Sequence, residues 1–504
     1  LSLPGFASTD KERAPIQAWE GVMGAAACVF TRVHQTRQAL NFPPVYSAVP
    51  QCSAHGSIHG AIAVMAALLA RDAQGIGTVI EVPLVDAALA SSGNEHIVGL
   101  YGPLNPTDAS AIELPDTLKP FVFSAQDSPE TQLQKLENAR DIIYLASPFY
   151  GKTYSCKDGR KVIVCIPGHT EIIARFFDLL GIDKQVASEG FTNEGPWVNT
   201  GLANNVSNRE HLSPERVQRI TQLITDSLQT KTAEEWDALF EQRRIPASFI
   251  RTRQEWLTLQ PMHNSGVLTK MDNGQSVLTV PGRTVDVSGP ADVSISTRQN
   301  EPVIIDPVQA NTMFDNGSSK NLFFGNATPL KKSDLLKNLK IVDFSNILAG
   351  PTSSYILAQY GAQVIKADPP STTGLNNPPI LLEGAMVLSQ GKRSLLTDIA
   401  TASGQGVLQR LISWSDVVVH NCLDDTASRM GITFKQLRIV NPNVVGCQLS
   451  AYGGTHRGGW EARPGFDWMG QSSSGVMTQY GSLDYPFLHH MSSIADAMGG
   501  YCLA

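Results

Sequence analysis

Between residues 341 and 449 the chain alternates between strand-like and helix-like periods, and this restricts the fold more than any other feature. Ile341–Phe344 reads as a strand, Ser345–Pro351 as a loop, Thr352–Gln359 as a helix and Gln363–Ala367 as a second strand. A helix at Ser403–Trp414, a strand at Asp416–His420, a helix at Thr433–Val440 and a strand at Val444–Leu449 continue the series. Strands separated by helix-length segments require crossovers rather than hairpins, so the expected class is α/β with a parallel sheet and right-handed connections.

The preceding part is less regular. Gly56–Ala70 is rich in Ala, Ile, Val, Met and Leu and reads as a buried helix closed by Gly75-Ile76-Gly77. Thr78–Val82 follows as an expected strand and Asp86–Leu100 as a helix, before a Pro-rich, weakly patterned stretch over 102–145. Then Thr153–Cys156 and Lys161–Ile166 flank Lys157-Asp158-Gly159-Arg160, where Asp-Gly supplies the positive φ of a hairpin. Helical periods run through Thr170–Leu180, Pro214–Gln229 and Thr232–Glu241, which defines a small α/β unit over about 146–265. Asn300–Lys320 is rich in Asn, Pro, Gly and Ser, so 291–333 is expected to be a linker between 1–290 and 334–504.

A chain of 504 residues can build two or three cored domains. Its net charge of −7, with no basic block, argues against a nucleic-acid binder yet leaves room for an anionic small ligand. No uninterrupted apolar run of membrane-spanning length occurs, so no membrane partner is expected. Seven scattered cysteines without a Cys-x-x-Cys read as reduced thiols of a cytoplasmic or organellar-matrix protein. The absence of an initial Met and the helix-like run at the end lead to the expectation of a piece of a longer protein.

Several blocks share an order and spacing that single motifs lack: Leu348-Ala349-Gly350-Pro351, Gly391-Lys392-Arg393-Ser394, Asp416 to Asn421, Arg429-Met430-Gly431, Asn441-Pro442, Arg463-Pro464-Gly465-Phe466-Asp467, and Ala495-Asp496-Ala497-Met498-Gly499-Gly500. Together they resemble the N-terminal half of the class III CoA-transferases, the family of carnitine CoA-transferase, formyl-CoA transferase and alpha-methylacyl-CoA racemase. Gly75 to Ala88, Ala233-Glu234-Glu235-Trp236 and Arg244-Ile245-Pro246-Ala247 resemble the middle and C-terminal part of another copy. The chain thus resembles a tandem form of the family, of the dimethylsulfoniopropionate CoA-transferase/lyase kind, with 1–290 in one copy and 334–504 in the next. The resemblance implies a large domain on a Rossmann-like parallel sheet plus a small α/β domain. It also implies a pairing of the two copies within the chain, or a homodimer.

An aspartate at a helix start reads, from the residue alone, as an N-cap. The resemblance makes Asp496 the acyl-carrying nucleophile, with N–H groups near Gly499-Gly500 as candidate oxyanion donors. Coenzyme A enters as substrate, with an acyl-CoA and a carboxylic acid as the small-molecule partners. Its nucleotide is carried over by position to Leu348, Ala349, Gly350, Thr397, Asp398, Asn421, Cys422, Leu423, Arg429, Pro464, Gly465, Phe466 and Asp467. A Gly-Pro turn at a helix start favours phosphate, and a guanidinium such as Arg429 grips it in paired bonds. Lys392 and Arg393 read equally as a solvated turn or as phosphate contacts. Where many family members carry a basic residue after the second strand, this chain has Asp368-Pro369-Pro370.

In the first copy Ser53 falls where the nucleophile belongs. A serine without an adjacent base is a poor nucleophile, so that site is expected to be silent. His55 and His59 have helical spacing for metal ligation but no evident third ligand, and no metal is expected. His489-His490 precede Asp496. An acyl-CoA racemase or isomerase using an Asp–His acid/base pair is the alternative enzyme, and a non-catalytic CoA-binding subunit is the alternative outside catalysis.

Overall fold

The computed structural model describes residues 1–30, 50–91, 331–369, 387–453, 458–460, 463–489 and 494–504, most of 149–285, and a few positions between 122 and 135. The Pro-rich 102–145 stretch falls almost wholly outside these residues, and so does nearly all of the 291–333 linker.

Near the N-terminus, α1 (Glu20–Ala26) leads to α2 (Gln51–Gln74), which extends beyond the expected Gly56–Ala70. Gly75 closes α2 at φ +73°, where its N–H donates to the Arg71 carbonyl. By length and composition α2 could cross a membrane. One face, however, packs Ile62, Ala63 and Ala66 against Leu336, Ile341, Ile356 and Tyr501. Met65, Leu68 and Leu69 face outward. The expected strand at Thr78–Val82 is reduced to a single bridge between Ser2 and Glu81, with Val79 92% exposed. An isolated bridge buries too little to hold a strand's alternation.

Next, β1 (Gly151–Ser155) and β2 (Lys161–Cys165) pair antiparallel with Ser155 opposite Lys161. Gly159 supplies the positive φ, +74°, that the connection requires. After α3 (Thr170–Leu180), α4 (Pro214–Leu228) and α5 (Ala233–Gln242), β3 (Ala247–Phe249) joins β2 to complete a three-stranded sheet. Ile173, Phe176, Phe177 and Leu180 recur at helical spacing on α3 and bury against Ile220, Ile224, Trp236 and Phe240. Each such side chain stabilises the fold by about 1.5–3 kcal/mol. Thr232 and Glu235 form a reciprocal capping box that starts α5. A separate hairpin, β4 (Leu268–Asp272) and β5 (Val277–Pro281), follows.

The alternation read from 341 to 449 becomes a five-stranded parallel sheet. Its elements are β6 (Lys340–Asp343), α6 (Ala349–Gln359), β7 (Gln363–Asp368), β8 (Lys392–Leu396), α7 (Ala402–Trp414), β9 (Val417–His420), α8 (Asp424–Met430), α9 (Phe434–Val440) and β10 (Val445–Gln448). The spatial order is β10-β9-β6-β7-β8, with every pairing parallel. Successive residues face opposite layers: Ile341, Val364 and Val419 meet α2 and α6, while Val342, Val418 and Ala367 meet Leu408, Leu411 and Leu437 of α7 and α9. Beyond the sheet, α10 (Asp467–Ser473) and α11 (Ile494–Leu503) carry the remaining site residues.

A buried charge cluster binds the two sheets. Asp237 of α5 accepts from Arg251 at 2.8 Å and from Arg463, which precedes α10, at 3.1 Å; Arg463 also reaches Glu241. Burial alone would raise the Asp237 carboxyl, but the two guanidinium groups bring it below its ordinary value.

Candidate active site

The carboxyl ends of the parallel strands carry most of the residues singled out in the sequence. β6 ends on Asp343, a fully buried carboxylate that accepts from Ser345 N (2.8 Å), Ser354 Oγ (2.5 Å) and Lys392 Nζ (3.1 Å). Burial pushes this carboxyl up, and Lys392, Lys366 and the serine hydroxyls return it to below its usual range. Lys392 is therefore not on a solvated turn. It lies on β8, buried, with a second bond to the Pro351 carbonyl at 2.8 Å. Arg393 instead extends over the Trp414 ring.

The turn expected over Ser345–Pro351 is shorter, because α6 already begins at Ala349. Leu348 is its N-cap residue, and Ala349, Gly350 and Pro351 form the first turn. A Cβ on Gly350 would lie 2.2 Å from Ser345 Cβ, so only glycine permits this approach. Asn421, just past β9, clasps the same loop, accepting from Asn346 N at 2.9 Å and donating to Asn346 O at 2.8 Å. Cys422 and Leu423 follow it into α8. Thr397 donates to Asp368 O, and Asp398 accepts from Ala400 N, at the end of β8. All follow the carboxyl ends of parallel strands: Leu348–Gly350 and Asn421–Leu423 come after the neighbouring β6 and β9, and Thr397–Asp398 after β8 at the sheet's other side. Arg429 stands apart at the far end of α8, 73% exposed, with Thr426 and Asp425 as partners.

Pro464, Gly465 and Phe466 enter the site differently. Gly465 packs so closely on Ala451 that a Cβ would come within 2.2 Å of it, and Phe466 lies against the core around Met469 and Tyr452. Asp467 is buried at the start of α10. Its Oδ1 accepts from Ala495 N (2.5 Å) and Asp496 N (3.2 Å), and its Oδ2 accepts from the Gln471 amide. The structure thus places Asp467 beneath Asp496 as the cap of α11. Asp496 lies in the first turn of α11 and is half-buried; burial raises its carboxyl to about 7. Asp467 is pushed well above the ordinary carboxyl range by burial and by the Asp496 charge. Both charges, added to burial, also raise the Cys165 thiol, which faces them from β2.

Gly499 and Gly500 do not present free amides. Both lie inside α11, where N–H groups are used by the helix ladder. Gly500 instead allows α11 to seat on α6, because a Cβ there would come 2.4 Å from Ala349 O.

The same geometry recurs around Ser53. Glu20, the first residue of α1, accepts from Cys52 N (2.8 Å) and Ser53 N (3.0 Å) at the start of α2, as Asp467 does for Ala495 and Asp496. Ser53 Oγ donates to Glu20 Oε2 at 2.6 Å. The expectation that no base adjoins Ser53 is therefore corrected. The missed signal was an acid opening a short helix about thirty positions earlier, as at Asp467.

His55 and His59 pack on Tyr501, with ring centroids 6.1 and 4.4 Å away, and His55 meets Ser91 Oγ at 2.7 Å. Burial and neighbouring positive charge lower both to about 4. Among the described residues no group of three or more His, Cys, Asp or Glu is placed to hold a metal. Sequence reasoning also passed over Lys366, a cation on β7 paired with Asp368 and close enough to influence Cys422.

A sequence model described as CoA-transferase family III matches residues 1–297 and 336–504. The chain is 26% identical to "CoA-transferase/lyase DddD" of Marinomonas sp. across its whole length, covering 59% of that protein. It is 29% identical to "Succinate--glutarate CoA-transferase" of Agrobacterium fabrum over 33% of this chain and 44% of that protein. A crystal structure of a CAIB/BAIF family protein from Brucella suis aligns with 28% of this chain and 40% of its own, at 33% identity and a TM-score of 0.25. The chain spans about half the length of the curated relatives it matches.

Proposed function

The chain belongs to CoA-transferase family III, and from that premise we propose that it moves coenzyme A between an acyl-CoA donor and a carboxylic acid acceptor, with Asp496 as the covalent carrier. The observation that carries this reading is the carboxyl pair: Asp496 is raised to about 7 while its own backbone is fixed by Asp467. A carboxylate of near-neutral pKa is a stronger nucleophile than an ordinary one and is still ionised in useful amount at pH 7.

In the proposed sequence an Asp496 carboxylate oxygen attacks the donor thioester carbon, the C–S bond breaks, and CoA thiolate leaves a mixed anhydride. The thiolate attacks the aspartyl carbonyl and releases the donor acid, giving an aspartyl-CoA thioester. The acceptor carboxylate displaces the thiolate to form a second anhydride, which the thiolate cleaves at the acceptor carbonyl. New acyl-CoA departs and Asp496 is regenerated. Each step passes through an oxyanion; with Gly499 and Gly500 engaged in the helix, its donors lie elsewhere.

The nucleotide is assigned to the Leu348–Gly350, Thr397–Asp398 and Asn421–Leu423 edge, with Arg429 as an outlying contact. Support comes from the strand order, which reverses direction of growth between β6 and β9, the location at which open α/β sheets bind ligands. That order is also the support for calling the sheet Rossmann-like. The tandem reading draws on the repeated carboxylate-capped helix start at Ser53 and Asp496, and on Arg463–Asp237 and Tyr501–His59 contacts that would pair the copies within one chain. The copy around Ser53 is proposed to be silent, because a serine ester would not regenerate the activated acyl anhydride.

The test incubates the chain with succinyl-CoA and ¹³C-succinate and follows label exchange into the thioester. Exchange by the natural chain, with loss of at least 10³-fold in Asp496→Asn, is expected for a nucleophile of this kind. Undiminished exchange in Asp496→Asn would remove the proposed role.

A further inference from the structure

A buried hydrogen-bonded chain connects the start of α2 to the carboxyl pair, although its ends are 438 positions apart at the first link. Gln51, the first residue of α2, is 2% exposed, and its Nε2 lies 3.1 Å from His489 Nε2. With the amide as donor, the imidazole nitrogen accepts. The His489 ring is 1% exposed and packs on Tyr480 with centroids 4.3 Å apart. The backbone N–H of His489 donates to Gln471 Oε1 at 2.7 Å. Gln471, also 1% exposed, donates its amide to Asp467 Oδ2, and Asp467 Oδ1 receives the N–H of Asp496.

We propose that Gln51 is a positioning residue for Asp496, a strut by which the first family-matching stretch fixes the reactive carboxyl of the second. This deepens the reading of Asp496 as nucleophile and rests on it. The physical basis is that Gln51, His489, Gln471 and Asp467 are all buried, so a polar group released from one link finds no water to replace its partner. Gln471 can satisfy Asp467 only if its carbonyl is turned to His489 N, and His489 is held there by Gln51 on one side and Tyr480 on the other. Such a connected polar chain is worth more than isolated pairs, and loosening one end lets the other rotate. It also gives the Ser53-bearing helix a role that needs no nucleophile of its own.

The test reads the carboxyl without relying on turnover. The full chain is treated with a water-soluble carbodiimide and an amine, and the modification rate of the Asp496 peptide is followed by mass spectrometry. Gln51→Met keeps side-chain length and removes the hydrogen bond; Tyr480→Leu frees the ring from its other side, should the first variant fail to fold. Either is expected to change the rate at least threefold while the near-ultraviolet circular dichroism stays native. Gln51→Met combined with Gln471→Met should change it no more than the larger single change, since both act through one chain. An unchanged rate in a folded variant, or changes that multiply in the double variant, would overturn the proposal. Failure of the natural chain to exchange CoA would instead strike the nucleophile reading, leaving this result to stand separately.

Discussion

Asp496 has a folded-state pKa of about 7 against an ordinary 3.8, and its reactivity and its effect on stability follow opposite directions of pH. Only the ionised form attacks, so CoA exchange is expected to fall about tenfold per pH unit below that value and level off above it. A titration of exchange rate between pH 5 and 9 checks this, with the apparent value belonging to the Asp496–Asp467 pair. Stability runs the other way. Between pH 4 and 7 the folded chain retains a proton that the unfolded chain releases, so the site loses stability as pH rises through this window. Asp496→Asn should accordingly raise unfolding free energy at pH 8, by up to about 4 kcal/mol, and by almost nothing at pH 3. Denaturant titrations at the two pH values measure the difference. Asp496 was singled out in the sequence only through the family resemblance, since the residue alone reads as an N-cap. The role of Asp467 was not legible, since it acts on amides 28 and 29 positions away. Lys392 was misread for the same reason: its partner is on another strand.

Glycine contacts decide how closely the elements pack. Gly500 lets α11 lie against the start of α6, with a would-be Cβ 2.4 Å from Ala349 O and 2.6 Å from Thr352 Cβ. Gly500→Ala must push the two helices apart, and a loss of about 1–3 kcal/mol is expected from such overpacking. Thermal unfolding of the variant, together with its CoA exchange rate, reports whether Asp496 moves with the helix. At this scale local signals served well. The helices expected from Thr232 and Thr433 begin there, each on a reciprocal capping box, and Asp158-Gly159 makes the expected turn. Thr78–Val82 has the composition of a strand but only one bridging neighbour, so composition misled. The early start of α6 escaped because Gly350 and Pro351, read as a turn, occupy its first turn.

For the molecule as a whole, the buried Arg251–Asp237–Arg463 cluster is the joint between the antiparallel and parallel sheets. Removing one guanidinium from a buried carboxylate leaves charge without compensation and costs about 3–5 kcal/mol. Arg463→Met should show that loss at neutral pH in chemical denaturation. In the natural chain the stability from Asp237 is present above pH 4 and disappears as pH falls through its depressed folded value. The alternating pattern of 341–449 made the parallel sheet readable, because each strand and helix carries its own period. The joint between the sheets was not readable, because Arg463 and Asp237 are 226 positions apart. The account's central claim is that one carboxyl carries CoA. Its most direct measurement quenches the full chain during incubation with succinyl-CoA and maps the adduct by mass spectrometry. The account predicts CoA bound through a thioester to the Asp496 peptide, at no more than one per chain and with none on the Ser53 peptide. CoA attached elsewhere, or turnover with Asp496 never modified, would contradict it.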